Sequence, residues 1–197
     1  MNTVYTIGHS THSLERFLEL LALNAITAIA DVRSQPYSRF NPQFNREPFK
    51  LALAENGVSY AFLGQELGAR SDDECCYDGD KVQYDRIAKT ELFQRGLDRV
   101  RTGAAGYRLA LLCAEKEPLD CHRTILVARH LIERGLTVAH ILAGGRSEPH
   151  NEAMRRLVHR LGLVEDHLFQ SRETVLLQSY EEQGSRIAYT RSTEGRL

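Results

Sequence analysis

The residues from Tyr107 to Ala114 read Tyr-Arg-Leu-Ala-Leu-Leu-Cys-Ala, and this run constrains the fold more than any other segment. It is too short to cross a bilayer and too uniformly apolar for a half-exposed strand. It therefore predicts a central strand buried on both faces, which needs a covering layer on each side. Amphipathic stretches supply those layers. Leu14 to Leu23 has apolar residues at 14, 17, 18, 20 and 21 behind a capping Ser13. Tyr84 to Arg101 carries Ile87, Leu92, Phe93, Leu97 and Val100 at helical spacing, and Cys121 to Arg134 carries apolar residues at 125, 126, 128, 131 and 132 before Gly135. Shorter helices are predicted over 48–56 and 151–161. Further strands are predicted over Val4–Ile7, Ile26–Val32, Val58–Leu63 and Thr137–Leu142, with an exposed loop from Gly68 to Val82 and a turn over Ala143–Arg146. Strands alternating with helices imply an α/β fold, a single open, mainly parallel sheet flanked by helices.

A chain of 197 residues suits one such domain, expected over residues 1–164, with 165–197 as a C-terminal extension that is partly ordered or an interaction segment. The 42% hydrophobic and 26% charged content is that of a globular protein. With 25 basic and 26 acidic residues the formal charge is −1, so no global field draws the chain to nucleic acid or membrane, and anion binding has to be local. Only four of the 25 basic residues are Lys, which leaves 21 Arg. Arginine suits bidentate recognition of phosphate or carboxylate, although a base-composition bias in the gene gives the same excess. The amino-terminal residues lack a leader pattern and no apolar run is long enough for a span, so a cytoplasmic protein without a membrane partner is expected. Its four cysteines, Cys75, Cys76, Cys113 and Cys121, are then expected as thiols, open to metal binding or catalysis.

Open parallel sheets bind ligands beyond the carboxyl ends of their strands. Here those ends carry His9 with Ser10, Arg33 with Ser34, Cys113 with Glu115, and Gly144 with Gly145. The loop from Glu115 to Asp120 is short enough to fold back and bring Cys121 to Cys113. Cys121 opens a helix, whose amino end favours a thiolate and offers N–H groups to a phosphate. Cys121 is thus the better nucleophile, while Cys113 equally suits a small core residue. His122, His9 and Glu115 are candidate proton carriers. Arg33, Arg39 and Arg123 with the hydroxyls of Ser10 and Ser38 are candidate anion-binding groups, Asp31 being placed to orient one arginine. The same arginines also suit salt bridges that brace a long loop. Cys113, Cys121, His122 and His9 have the chemistry to hold one transition-metal ion, but not the spacing of a known short metal motif. Phosphate-binding loop, dinucleotide fingerprint and nucleophile-elbow patterns are all missing from the sequence, so no dinucleotide cofactor is implied.

Taken together, Thr6-Ile-Gly-His-Ser10, Asp31-Val-Arg-Ser-Gln-Pro-Tyr-Ser-Arg-Phe40, Leu63-Gly64, Glu66-Leu-Gly68, Tyr77-Asp-Gly79, Leu112-Cys-Ala-Glu115, Cys121-His-Arg123 and His140-Ile141 resemble the family catalogued as domain of unknown function 488. The resemblance runs from about Thr3 to the helix near Arg160. It implies a fold and a shared site without a settled activity, and it marks His9, Ser10, Asp31, Arg33, Ser38, Arg39, Cys113, Glu115, Cys121, His122 and Arg123. Thr124 stands where Ser is common and keeps a hydroxyl. Three readings stay open: an enzyme acting on a phosphate-bearing small molecule, nucleotide or nucleic-acid end; a metal-binding or metal-dependent protein; and a non-enzymatic module for nucleic acid or another partner. A fourth, sulfur transfer, rests on a Cys between strand and helix that resembles rhodanese-like domains, from which the Cys-loop spacing differs. Oligomeric state has no signature here.

Overall fold

A computed structural model of the chain describes residues 3–163 and 171–191. The main sheet contains β1 (Thr3–Gly8), β2 (Ala28–Asp31), β3 (Ser59–Phe62), β6 (Leu109–Cys113), β7 (Thr137–Ile141) and β8 (Ser147–Pro149), in the order β3-β2-β6-β1-β7-β8. Neighbours pair in parallel except β8, which runs antiparallel to β7. The predicted architecture, a mainly parallel sheet between helices, is the one observed.

β6 lies at the centre with all five residues buried. Leu109, Leu111 and Cys113 face one helical layer and Ala110 and Leu112 the other. The first layer contains α4 (Tyr84–Lys89), α5 (Glu91–Gly106) and α6 (Arg129–Glu133), which bring in Ile87, Phe93, Leu97, Val100 and Leu131. The second contains α1 (Leu14–Leu23) and α2 (Arg46–Glu55), whose Phe17, Leu20, Phe49 and Leu53 pack with Phe44. This alternation is the physical content of the apolar run: adjacent side chains on a strand point to opposite faces, so a doubly covered strand has no polar position.

Ser13 caps α1 by accepting from Arg16 N at 3.2 Å, as its sequence position predicts. Other boundaries differ. The single helix expected over 84–101 is two, because Thr90 takes an extended conformation and its hydroxyl accepts from Phe93 N, starting α5 afresh. The segment expected as an exposed loop over 68–82 buries Cys76, Tyr77 and Val82 and forms a small hairpin of β4 (Tyr77–Asp78) and β5 (Lys81–Val82), after α3 (Gly64–Leu67). The helix after Cys121 opens as a π-helical turn over Arg123–Ala128 and only then becomes α6. Such wide turns concentrate at functional sites.

The expected extension at 165–197 lies partly outside the described residues. Within them, α8 (Arg172–Ile187) follows α7 (His150–Arg160) and packs on the body through Val175 and Tyr180, and Gln183 Nε2 donates to Leu119 O at 2.8 Å. Among the described residues no helix is long and apolar enough to cross a membrane.

Candidate functional site

The carboxyl ends of β2 and β6 open onto a cleft of about 320 Å³, lined by Arg33, Arg70, Tyr84, Cys113, Glu115, Cys121 and His122 among others. The sheet order places it there. β6 is inserted between β2 and β1, so the loops leaving β2 and β6 diverge from neighbouring strands. The ladder continues one step past β1, where His9 N donates to Cys113 O and Ser10 N to Ala114 O. Gly8 is required at this point because a Cβ there would collide with the carbonyl of Glu115. Arg123 Nη1 donates to that same carbonyl at 2.7 Å. Glycine, carbonyl and guanidinium together fold the loop back over the sheet edge, and the two thiols meet as expected from the loop length.

Cys121 Sγ lies 2.9 Å from Glu115 Oε2 and 3.9 Å from His122 Nδ1, and the backbone N–H of Arg123 points to it at 3.5 Å. Cys113 Sγ is 3.6 Å from the same His122 nitrogen. The other ring nitrogen, Nε2, lies 3.0 Å from Val32 O. A carbonyl only accepts, so Nε2 carries hydrogen and Nδ1 is the atom that exchanges a proton with sulfur.

The charges follow. Burial opposes ionisation of Cys121, but a hydrogen bond from Cys113, the Arg123 guanidinium and His122 outweigh it and hold this thiol well below its ordinary value. Burial and the nearby Cys121 push Cys113 well up, so it keeps its proton. Burial also raises Glu115, and the sulfur beside it adds to the effect. His122 is raised despite burial, through Cys121 and then Glu115. Cys121 is thus drawn towards its thiolate, and His122 and Glu115 towards their protonated forms, around the 2.9 Å contact of Cys121 Sγ with Glu115 Oε2.

Other residues marked by the sequence lie nearby, most of them with their side chains engaged elsewhere. Arg33 lines the cleft, clamped to Asp31 through Nε at 2.9 Å and Nη2 at 2.7 Å, and Tyr60 OH donates to the same carboxylate at 2.7 Å. Arg123, expected to bind an anion, is 1% exposed, with Nη1 on Glu115 O and Nη2 on Lys116 O, so it charges the thiol and braces the loop instead of facing the cleft. Ser38 Oγ accepts from Phe40 N and Asn41 N and closes a turn, while Arg39 lies over the Phe40 ring. Ser10 adopts a positive φ of 50° and its carbonyl takes His9 Nδ1 at 2.8 Å. The His9 ring stacks on Phe44 at 4.5 Å, and burial followed by Arg33 pushes it down to about 4. The donor atoms of Cys113, Cys121 and His122 all lie within 4.8 Å of one another, and His9 is not in that cluster. The turn at Gly144 and Gly145 packs over α1, where Asn24 Nδ2 donates to Gly145 O, and is absent from the cleft lining.

Sequence reasoning missed Arg70, Tyr84 and Tyr189 in the lining. Arg70 sat in the segment read as an exposed loop, and Tyr189 lies far along the chain. Close packing at Gly64 and Gly68, where a Cβ would meet Arg33 O and Ser34 Oγ, was the signal that this loop folds against β2.

No curated protein and no solved structure matches the chain. A family model, the domain of unknown function DUF488, matches residues 13–130, which includes β2, β6, both site thiols and His122. The match covers more than half of the sequence, and the chain belongs to the DUF488 family.

Proposed function

We propose that the protein is an enzyme that uses the Cys121 thiolate as a nucleophile on a substrate bearing a phosphate or similar anionic group. One observation carries this reading: Cys121 Sγ shares a 2.9 Å contact with Glu115 and is faced by His122 and the Arg123 N–H at the wall of an open cleft. A nucleophile beside a base, with the base oriented by a third group, is the arrangement covalent catalysis needs. Sulfur forms a bond to the electrophilic atom, the bond to the leaving group breaks, and the leaving group takes the Glu115 proton. Water then attacks the covalent intermediate, returns a proton to Glu115 and frees the thiolate. His122 and Arg123 offset the sulfur charge, and Arg33 and Arg70 hold the anionic part of the substrate. The free state of all four cysteines fits a reducing compartment, the cytoplasm.

Alkylation with iodoacetamide near neutral pH, followed by mass mapping, tests the reading. Cys121 is expected to react selectively and faster than a model thiol. A rate no faster than the model thiol excludes thiolate catalysis.

The cluster of Cys113, Cys121 and His122 supports a second reading, a bound transition metal. Three ligand atoms beside an open cleft, with the histidine held from behind by the Val32 carbonyl, suit a metal that keeps one position for substrate. Elemental analysis of protein purified without a histidine tag decides this. A stoichiometric metal that is lost in Cys121→Ala establishes the reading, and metal-free active protein removes it.

A further inference from the structure

Aromatic rings and arginines share the lining of the cleft. Tyr37, Tyr84 and Tyr189 line it with Arg33 and Arg70, and the Arg70 guanidinium lies 4.4 Å over the Tyr189 ring while Nη1 donates to Gln35 Oε1 at 2.9 Å. Outward along the loop after β2, two large rings face water: Tyr37 is 79% exposed and Phe40 is 78% exposed. The Arg39 guanidinium lies 4.9 Å over Phe40.

Exposure of two rings three residues apart costs hydration free energy unless a ligand covers them. The loop holds them out in a set geometry. Ser38 N donates to Asn45 Oδ1 at 2.7 Å, Ser38 Oγ takes two backbone N–H groups, and Arg46 N donates to Pro36 O at 3.0 Å. A rigid loop presenting rings beside guanidinium groups matches unpaired bases, which stack on any flat π face while arginines meet the phosphates between them. A protein partner fits less well, because the rings are interleaved with charge instead of forming one apolar patch. The net charge of −1 is no obstacle, since the contacts are local.

The cleft volume of about 320 Å³ is at the small end of ligand pockets and suits one nucleotide. Tyr37 stands at its mouth, and Phe40 lies outside the lining, so the stacking faces continue beyond the space a mononucleotide fills. We infer that the substrate is the end of a single-stranded nucleic acid, its terminal nucleotide in the cleft and the preceding bases stacked on Tyr37 and Phe40. The inference rests on the cleft being the substrate site and names the class of anion it takes.

Binding of the full chain to single-stranded oligonucleotides of about eight nucleotides, with a phosphate at either end, is compared by calorimetry with a mononucleotide and a blunt duplex. The oligonucleotide is expected to bind at least about tenfold tighter than either, and Tyr37→Ala/Phe40→Ala to erase that advantage while Tyr37→Trp/Phe40→Trp keeps it. Equal affinity for oligonucleotide and mononucleotide overturns the inference, as does equal affinity for duplex or unimpaired binding by the double alanine variant. Thermal melts confirm that each variant folds. Cys121 alkylation on the same samples separates the two proposals: a slow thiol with intact oligonucleotide binding removes only the thiolate, and a fast thiol without it removes only the nucleic acid.

Discussion

Two buried polar clusters flank the π-helical turn, and they hold their histidines in opposite states. At the sheet edge His122 sits against Cys121 and Glu115 and is pushed up towards its charged form. On the side facing α7 and α8, Thr6 Oγ1, His140, His150 and Tyr180 OH form a chain with contacts of 2.8, 3.0 and 2.6 Å. Burial pushes His150 down to about 4, and burial with the neighbouring His150 pushes His140 well down. Burial acts on both clusters alike, and the difference is the anion. A sulfur that can ionise beside His122 turns an imidazole into an ion-pair partner, whereas a hydroxyl at each end of the His140–His150 chain leaves both rings neutral.

Acid breaks this contrast most severely. A histidine whose folded value lies below its unfolded one binds fewer protons folded than unfolded, so its contribution is full above about pH 6.5 and is lost as pH falls towards about 4. His9 and His150 each put on the order of 3 kcal/mol into that window, and His140 adds in the same direction. Urea unfolding between pH 7 and pH 4 should show a steep loss with the chain intact and a shallower one in His150→Phe/Tyr180→Phe. Identical slopes count against the chain as the acid-sensitive element.

Next in size is the packing that creates the thiol cluster. Gly8→Ala places a methyl group on the Glu115 carbonyl, and the displacement should cost about 1–3 kcal/mol and slow Cys121 alkylation together. Loss of stability with unchanged thiol reactivity would uncouple the loop from the site.

His122→Gln keeps a hydrogen-bonding side chain but removes the cation. Cys121 alkylation near neutral pH should then slow, because one of the groups that hold the thiol below its ordinary value is gone. Proton NMR sharpens the same comparison: His122 should titrate above the ordinary histidine value and His150 near 4. The smallest effect is expected from Tyr180→Phe, which removes one end of the neutral chain and should cost about 1 kcal/mol in denaturant unfolding without altering thiol reactivity.

Much of this was legible in the chain. Leu109 to Cys113 can only be a doubly covered strand, and the strand-end rule with the spacing from Cys113 to Cys121 brought Cys113, Glu115, Cys121 and His122 into one site. The residues marked as anion-binding groups fared differently. Arg123, Ser10, Ser38 and Arg39 all lie on the right loops, but Arg123 turns inward to the Glu115 and Lys116 carbonyls, Ser38 closes a turn and Arg39 covers Phe40. Thr90 broke an unbroken helical pattern by capping, and Cys76, Tyr77 and Val82 were buried in a segment with no clear period.

Periodicity and strand polarity are local properties, so the sequence alone determined the layers, the open parallel sheet and the sheet edge that carries the cleft. The direction of each long polar side chain was decided only by tertiary structure, because a guanidinium, a hydroxyl or an imidazole goes to whichever unsatisfied partner the fold brings within reach. The same rule set the charge of each histidine. His122 and His150 are both buried, and only the three-dimensional neighbourhood brought Cys113 and Glu115 to the Cys121–His122 pair and a tyrosine hydroxyl to His150.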